Sequence, residues 1–355
     1  MKVLFAVCSW GLGHATRDLP LIQRMIEAGH NVTVVGTGRS LNLLRKELGK
    51  SCRFLDIPDY SSPYSEKGFL VAKFVGYLPV YIEEIVREHR KIKKLVRKDG
   101  YERIISDNRF GVYDSTIPSY FISHQLRFIP PRRVKIFERA TEGFNYSFKR
   151  NFLKFLVPDD KDNPLSGDLS HNLRFFKDGK VEYLGILSSL RKLEVKEDID
   201  YFISLSGPEP QRTILERKLL KQAPLLKGKV VIALGKPEEY KEEVRGNIRI
   251  ISFLDREKQE EIMNRAKLVI ARPGYTTLME LAFLGKKALL IPTPGQTEQI
   301  YLASYHRSKG NFYSVDQDEL DLVRDVERAK QYKGISYEEA GESAVDKFMR
   351  TVFGE

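Results

Sequence analysis

Short apolar, β-branched runs alternate with helical patterns along the whole chain, and this alternation restricts the fold more than any other feature. Nearly unbroken apolar runs are typical of strands that are covered on both faces, and intervening helices are what parallel pairing of such strands requires. The predicted strands are residues 3–7, 32–35, 54–57, 103–106 and 119–122 in the first half and 201–205, 229–234, 248–253, 268–271 and 287–291 in the second. The 355 residues are therefore predicted to form two α/β domains, each with a doubly wound parallel sheet.

A polar, charge-mixed stretch at residues 186–198 (ILSSLRKLEVKED) separates the two strand-rich halves. It predicts an N-terminal domain over residues 1–187 and a C-terminal domain over residues 188–336. Residues 337–355 are predicted to form a helix that packs back on the N-terminal domain.

Composition argues against secreted and membrane-spanning classes. Two cysteines, Cys8 and Cys52, are too few for a disulfide framework and lack metal-ligand spacing, so we expect a reducing cytoplasm. Lys2 leads directly into a strand-like run, which is unlike a signal peptide. The longest apolar window, residues 69–82, contains Lys73 and Pro79 and is shorter than the roughly 20 residues that a spanning helix needs.

The net charge of +11 is concentrated in the N-terminal half. Residues 87–103 contain eight Lys/Arg against three Asp/Glu, and residues 127–154 contain eight against two. In the second segment the basic residues are interleaved with the aromatic residues Phe128, Phe137, Phe144, Tyr146, Phe148 and Phe152.

The first candidate site is the loop SWGLGHATR, residues 9–17, which follows the first predicted strand. The helix after it is predicted to be capped by Thr16 and to have Pro20 in its first turns. Gly11 and Gly13 let the backbone approach a ligand, but the spacing is not that of a dinucleotide fingerprint. His14 either contacts a ligand at the helix start or is a capping or packing histidine.

The second candidate site is SLSGPEPQRT, residues 204–213, which again lies between a strand and a helix. Gln211, Arg212 and Thr213 are predicted at a helix N-terminus, where backbone donors favour an anion. Arg212 adds a guanidinium suited to phosphate. The alternative is a proline-stiffened turn with a solvated arginine.

The third candidate site lies in ARPGYTTLMELAFLGKKALLIPTPGQTEQIYLA, residues 271–303. Thr276 and Thr277 open a predicted helix, and Glu280 follows one turn later on the same face. A carboxylate in that position suits the hydroxyls of a ribose, while the helix end suits phosphate. A second polar cluster follows the next strand and consists of Gln296, Glu298 and Gln299.

The order of these segments resembles that of the GT-B glycosyltransferases: a Gly-x-Gly-His loop, then SD and SHQ, then SGPEPQRT, then RPGYTTLMEL with PTPGQTEQ. The chain is most similar to the MurG-like group of family 28, which transfers N-acetylglucosamine from UDP to an undecaprenyl-linked acceptor. Within that group it resembles a poorly characterised archaeal and bacterial branch. The resemblance implies two Rossmann-like domains that face each other across a cleft, with the acceptor bound by the N-terminal domain and the donor by the C-terminal domain.

The resemblance also implies roles for single residues. Thr276 and Thr277 would lie beside the phosphates, Glu280 would bind the ribose hydroxyls, and Gln299 would contact the donor sugar. The remaining donor-side positions that match are Gly13, Gly207, Gln211, Arg212, Thr213, Leu254, Gly274, Gln296 and Glu298. Leu254 matches the position whose backbone binds the base.

The reaction that the resemblance implies is an inverting displacement by an acceptor hydroxyl, which needs a base and positive potential on the leaving diphosphate. His14 and His124 are the candidate bases, and Asp107 is either a third candidate or the group that orients one. His124 stands in SHQ where the peptidoglycan enzyme has the glutamate of HEQ, so a different acceptor or base is expected. Two helix N-termini and Arg212 would supply the positive potential, and no metal or cofactor is expected beyond the nucleotide sugar.

The basic segments, residues 87–103 and 127–154, are expected to dock on an anionic membrane near a lipid-linked acceptor. This predicts a peripheral protein on the cytoplasmic face of the membrane. A solvated basic face is the alternative for the segments. A basic nucleic-acid-binding protein and an enzyme like UDP-N-acetylglucosamine 2-epimerase are the alternatives for the chain. Nucleic acid is not the expected partner, because it gives Glu280 no role.

Overall fold

The structure is a computed structural model that describes residues 1–61, 71–236, 240–338 and 341–355, with the backbone alone described for residues 71–75. The chain divides into two compact units. The first extends to Ser189 and includes the C-terminal residues, and the second extends from Leu190 to Glu338.

Strands and helices alternate in the first unit as the sequence pattern predicts. The elements are β1 (Lys2–Ala6), α1 (Leu12–Glu27), β2 (Asn31–Gly36), α2 (Gly38–Leu48), β3 (Arg53–Asp56), α3 (Val71–Asp99), β4 (Arg103–Asp107), β5 (Ser119–Ile122), α4 (Lys135–Ser147), β6 (Lys154–Val157) and β7 (Val181–Tyr183).

The second unit repeats this alternation. Its elements are β8 (Ile199–Ser204), α5 (Gln211–Gln222), β9 (Val230–Ala233), β10 (Glu242–Arg245), β11 (Ile248–Ile251), α6 (Arg256–Arg265), β12 (Ala266–Ala271), α7 (Tyr275–Leu284), β13 (Lys287–Leu290), α8 (Thr297–Ser308), β14 (Tyr313–Ser314) and α9 (Leu322–Lys330). The last helix, α10 (Ala344–Phe353), belongs to the first unit, where Arg103 Nε donates to the Val352 carbonyl over 3.2 Å.

Each unit is built on one sheet with helices between its strands, which confirms the predicted fold class. The first sheet is parallel throughout, in the order β3-β2-β1-β4-β5-β6-β7. The second has the order β10-β11-β9-β8-β12-β13-β14, with only β10 antiparallel to its neighbour. Central strands such as β1 and β12 are almost wholly buried, so each sheet forms the middle of its unit's core.

Helix α1 begins earlier than predicted. Gly11 occupies the N-cap position, and the Thr16 hydroxyl donates to the Leu12 carbonyl over 2.9 Å. Thr16 therefore lies inside the helix and does not cap it, and Pro20 is interior as well. The consequence for the site is that His14 projects from the first turn of α1.

The aromatic and basic segment, residues 127–154, is divided between core and surface. Phe137 and Phe152 are buried, and three further aromatic residues pack against the core of the first unit, namely Phe144, Tyr146 and Phe148. Several of its basic side chains bond to groups of the same unit, namely Arg127, Arg133, Lys149 and Lys154. Val134 and Ile136 are 41% and 78% exposed next to exposed basic residues, so docking through this segment stays a prediction.

Helix α3 carries a different surface. Its inner face is buried at Ile85, Glu88, Ile92 and Val96, whereas most of its basic residues are exposed. Within the part of the chain that the structure describes, no helix combines the length and the apolar character needed to cross a membrane.

Candidate active site

The opening loop is held from several sides at the carboxyl edge of the first sheet. The Ser9 N–H donates to Asp59 over 2.6 Å, and the Trp10 indole N–H donates to the Tyr60 carbonyl over 2.8 Å. The Ser40 hydroxyl donates to the Gly11 carbonyl over 3.2 Å. The loop is thus tied to the segment that follows β3 and to α2.

That segment after β3 is fixed by a buried arginine. The Arg109 guanidinium donates to the carbonyls of Ile57 and Pro58, each over 3.1 Å, and to Glu88 of α3 over 2.7 Å. Because Arg109 and Glu88 are both buried and paired, they connect the β4 end, α3 and the loop after β3.

His14 pairs with Asp107, and this contact joins the first turn of α1 to the end of β4. His14 Nδ1 lies 2.6 Å from Asp107 Oδ2. The carboxylate is fully buried, whereas the imidazole retains 17% of its exposure. Arg17 Nη2 also lies 3.0 Å from His14 Nδ1, but the carboxylate is the nearer partner. With Nδ1 donating to Asp107, Nε2 is the nitrogen that can take up a proton.

Arg17 connects both histidines to the same carboxylate. It donates from one nitrogen to His124 Nδ1 over 2.7 Å and from the other to Asp107. Burial by itself would raise the pKa of Asp107, but the positive charges of Arg17 and His14 hold it well below its usual value. Since His124 Nδ1 accepts a hydrogen bond, neutral His124 carries its proton on Nε2 and is a donor there, not a base.

Asp18 is a further member of this cluster that sequence reasoning missed. Neither of its carboxylate oxygens has a hydrogen-bond partner among the described residues, and Arg17 Nε lies 3.7 Å away. Burial, followed by the nearby Asp107 charge, raises the pKa of Asp18 well above its usual value. The signal was its position on the buried face of α1, between Ala15 and Ile22.

Glu280 is the central acidic residue of the second unit. It lies in α7 with 4% of its surface exposed, and no described residue donates a hydrogen bond to its carboxylate. Burial raises the pKa of Glu280 to about 7, although Arg256 opposes that shift. Gly274 is the N-cap of α7, and the half-buried Thr276 and Thr277 lie in a first turn that contains no acid.

Arg212, predicted to bind phosphate, has two carboxylate partners within the protein. Its guanidinium donates to Glu216 over 2.7 Å and also pairs with Glu209. The Glu209 carboxylate in addition accepts from the Thr213 N–H at the start of α5, over 3.2 Å. The positive charge of Arg212 and the N-terminus of α5 are therefore already compensated, which argues against a phosphate there.

The other predicted donor residues lie on several elements of the two units. Gln211 and Gln299 each have a side-chain oxygen engaged, the first by Gln317 over 3.0 Å and the second by the Thr293 N–H over 2.8 Å. Their amide nitrogens have no partner among the described residues and can donate hydrogen bonds to a ligand. The structure places the rest as follows: Gly13 in the first turn of α1, Gly207 after β8, Leu254 buried after β11, Gln296 as N-cap of α8 and Glu298 in its first turn.

Arg272 directly follows β12 and is the second residue that sequence reasoning missed. It is buried, and its terminal nitrogens donate to the carbonyls of Ile291 over 3.0 Å and Pro292 over 2.9 Å, and to Gln317. No carboxylate among the described residues pairs with it, and burial lowers its pKa to about 10. The signal was a charged residue that ends an apolar strand.

The described residues contain no group of three or more acidic, histidine or cysteine side chains arranged to hold a metal ion. Independence of a metal stays a prediction.

Comparison with known proteins places this geometry in a family. The model of the glycosyltransferase family 28 C-terminal domain matches residues 211–351, which include Glu280 and Arg272. An uncharacterised glycosyltransferase of Methanosarcina mazei is 26% identical over 365 residues, with 94% of this chain and 92% of that protein covered. The comparisons support a GT-B glycosyltransferase of family 28.

Two further comparisons of this glycosyltransferase agree with that assignment. The UDP-N-acetylglucosamine--N-acetylmuramyl-(pentapeptide) pyrophosphoryl-undecaprenol N-acetylglucosamine transferase of Clostridium perfringens is 22% identical over 357 residues, with 90% of this chain and 88% of that enzyme covered. The crystal structure of the glycotransferase of kitacinnamycin has a TM-score of 0.65 at 14% identity and covers 93% of this chain and 92% of its own. The second likeness concerns the fold alone. The resemblance stated from the sequence is thus confirmed.

The two carboxylates of the first unit predict opposite effects when each is changed to its amide. Asp107→Asn should lower the free energy of unfolding by about 3–5 kcal/mol, because the buried Arg17 loses the carboxylate that it is hydrogen-bonded to. Asp18→Asn should be stabilising above neutral pH. Because the pKa of Asp18 is raised on folding, the wild type loses stability as pH rises from about 4 towards the folded pKa, and the amide does not.

Urea unfolding at pH 5 and pH 8 measures both effects. We expect the stability of Asp18→Asn relative to the wild type to rise by about 1–3 kcal/mol between those pH values. A difference that is independent of pH would show that Asp18 is already ionised in the folded protein.

Proposed function

We propose that this glycosyltransferase moves a hexose or N-acetylhexosamine from a nucleoside-diphosphate sugar, with UDP as the nucleotide, to a hydroxyl group of a lipid-linked or other membrane-surface acceptor. The transfer inverts the anomeric carbon. The observation that carries the proposal is the Glu280 side chain, which is 4% exposed in α7 and accepts no hydrogen bond from the described residues.

A buried carboxylate without a donor is costly, and a protein retains it where a ligand supplies the missing partners. The two hydroxyls of a ribose are neutral donors with the spacing that one carboxylate accepts. The α7 N-terminus next to Glu280 in sequence, with Gly274, Thr276 and Thr277, offers backbone N–H groups to the adjoining phosphates. The name of the Clostridium perfringens relative specifies UDP-N-acetylglucosamine, which supports UDP as the nucleotide here.

The first unit supplies the base in this proposal. His14 Nε2 takes the proton of the acceptor hydroxyl, the oxygen forms a bond to the anomeric carbon, and the bond from that carbon to the diphosphate oxygen breaks with its electron pair. Asp107, kept ionised by Arg17, stabilises the imidazolium that forms. His124 contributes a hydrogen-bond donor through Nε2 rather than a second base, because its Nδ1 accepts from Arg17.

Membrane docking, in this proposal, uses α3. Val80, Ile82 and Val86 are 47%, 46% and 41% exposed, and the exposed residues of the following turns are mainly basic. An apolar patch next to a cationic one on a single helix face suits the surface of an anionic bilayer. Most aromatic residues of residues 127–154 do not contribute, since they pack in or against the core.

The donor site is tested by Glu280→Gln. Without nucleotide, this variant should be more stable than the wild type at pH 8 by about 1–2 kcal/mol, because the wild type loses stability as Glu280 ionises through its folded pKa of about 7. It should nevertheless lose most of the rise in melting temperature that UDP or a UDP-sugar gives the wild type. A panel of UDP, GDP, TDP and their sugars identifies the nucleobase that the donor site prefers. If no nucleotide raises the wild-type melting temperature, the donor proposal is wrong.

The base is tested by His14→Asn with His124→Asn as its matched control. Turnover should fall by about 10²–10⁴-fold in the first variant, with a smaller fall in the second. Melting temperatures report whether either change acts through folding. Unchanged turnover in His14→Asn would return His14 to a packing role. Isomerised UDP-sugar formed without any acceptor would instead favour an epimerase.

Membrane docking is tested by sedimentation with vesicles that contain phosphatidylglycerol. The wild type should sediment at physiological salt, and Arg90→Glu/Lys94→Glu, on the exposed face of α3, should not. Lys221→Glu/Lys227→Glu makes the same change of charge on the second unit and should sediment like the wild type. Sedimentation lost equally in both variants would indicate a response to net charge, and wild-type protein that stays in solution would contradict docking.

A further inference from the structure

Two buried polar atoms that have no hydrogen-bond partner in the part of the chain that the structure describes lie beside one glycine of the second unit. They are Arg272 Nε and the Thr293 hydroxyl, and both side chains are 1% exposed. A Cβ placed on Gly207 would lie 3.5 Å from the Thr293 hydroxyl and 4.0 Å from Arg272 Nε. The missing side chain of Gly207 thus leaves room beside two unsatisfied groups.

The charge of this place is also unsatisfied. The other nitrogens of Arg272 donate to neutral oxygens, those of Ile291, Pro292, Gln211 and Gln317. Neutral acceptors do not cancel the positive charge of a guanidinium. Burying that charge therefore costs several kcal/mol of desolvation. An anionic oxygen in the room beside Gly207 would satisfy the hydrogen bond and the charge together.

The position of these residues in the sheet fits a donor ligand. Gly207 follows β8, Arg272 follows β12 and Thr293 follows β13, and these three strands are neighbours and parallel. Their carboxyl ends therefore meet at one edge, where ligands of open α/β sheets bind. The N-terminus of α7 begins at the same edge, directly after Arg272. Gly207 has a φ of +114°, which keeps larger residues out of this position.

We propose that Arg272 Nε and the Thr293 hydroxyl bind a non-bridging oxygen of the donor diphosphate, in the space left by Gly207. This inference rests on the proposed function and assigns the positive potential to Arg272 in place of Arg212. The guanidinium then stabilises the charge that develops when the nucleoside diphosphate leaves. A single ordered water between the two groups is the competing occupant.

The experiment measures UDP binding by calorimetry at constant ionic strength for the wild type, Thr293→Val and Thr293→Ser. Valine keeps the shape of threonine and removes the hydroxyl, whereas serine keeps the hydroxyl. We expect Thr293→Val to bind UDP about tenfold or more weakly, the size of a lost hydrogen bond to a charged group, and Thr293→Ser to bind within about threefold of the wild type. Uridine, measured by competition, should bind all three proteins equally, because it has no phosphate.

Two results would overturn the inference, and they differ in what else they affect. If Thr293→Val binds UDP as tightly as the wild type while Glu280→Gln does not, the pocket holds a water and the proposed function stands. If the wild type binds neither UDP nor a UDP-sugar, the proposed function fails and takes the inference with it. Gly207→Ala fills the pocket and should weaken UDP binding as Thr293→Val does. Its melting temperature shows whether the variant is folded.

Discussion

Burial of charged side chains at the carboxyl edge of a parallel sheet is the constraint on which the rest of this protein depends. Parallel pairing brings the ends of all central strands to one edge, and a charge buried there costs several kcal/mol unless another group compensates it. The first unit compensates within itself, since Arg17 and Asp107 neutralise each other and burial raises the pKa of Asp18, which opposes its charge. In the second unit no described carboxylate pairs with Arg272, and Arg256 offsets the burial of Glu280 only in part.

This difference between the units has a functional meaning. A compensated cluster is rigid and fixes one nitrogen of His14, which suits a base that must be oriented before the substrate arrives. An uncompensated pair of opposite charges destabilises the free protein and is satisfied by a ligand that offers hydroxyl donors and anionic oxygens together. A nucleoside diphosphate offers both. Stability given up in the second unit is thus recovered on binding.

Much of the fold was predictable, because buried parallel strands are apolar runs that can be seen in the order of residues along the chain. Every predicted strand is present, whereas β6, β7, β10 and β14 were missed. Strands β7 and β14 have three and two residues, β10 is polar and exposed, and β6 begins at the end of the segment that was interpreted as a docking surface. The donor roles of Glu280 and Arg212 stay predictions. The ion pairs of Arg212 were open to prediction, since Glu209 and Glu216 stand at ion-pair spacing on either side of it. Arg272 and the pairing of His14 with Asp107 depend on contacts between residues far apart in the chain, which no local pattern encodes.

The central claim, that a ribose completes the Glu280 site, is tested most directly by counting protons. A group with a pKa of about 7 is about half protonated at pH 7, and hydrogen bonds to its ionised form expel the proton. Calorimetric titration of a UDP-sugar at pH 7 in buffers of different ionisation enthalpy should therefore show release of about half a proton in the wild type and none in Glu280→Gln. Binding without buffer dependence in the wild type, or with the same dependence in both proteins, would contradict the claim.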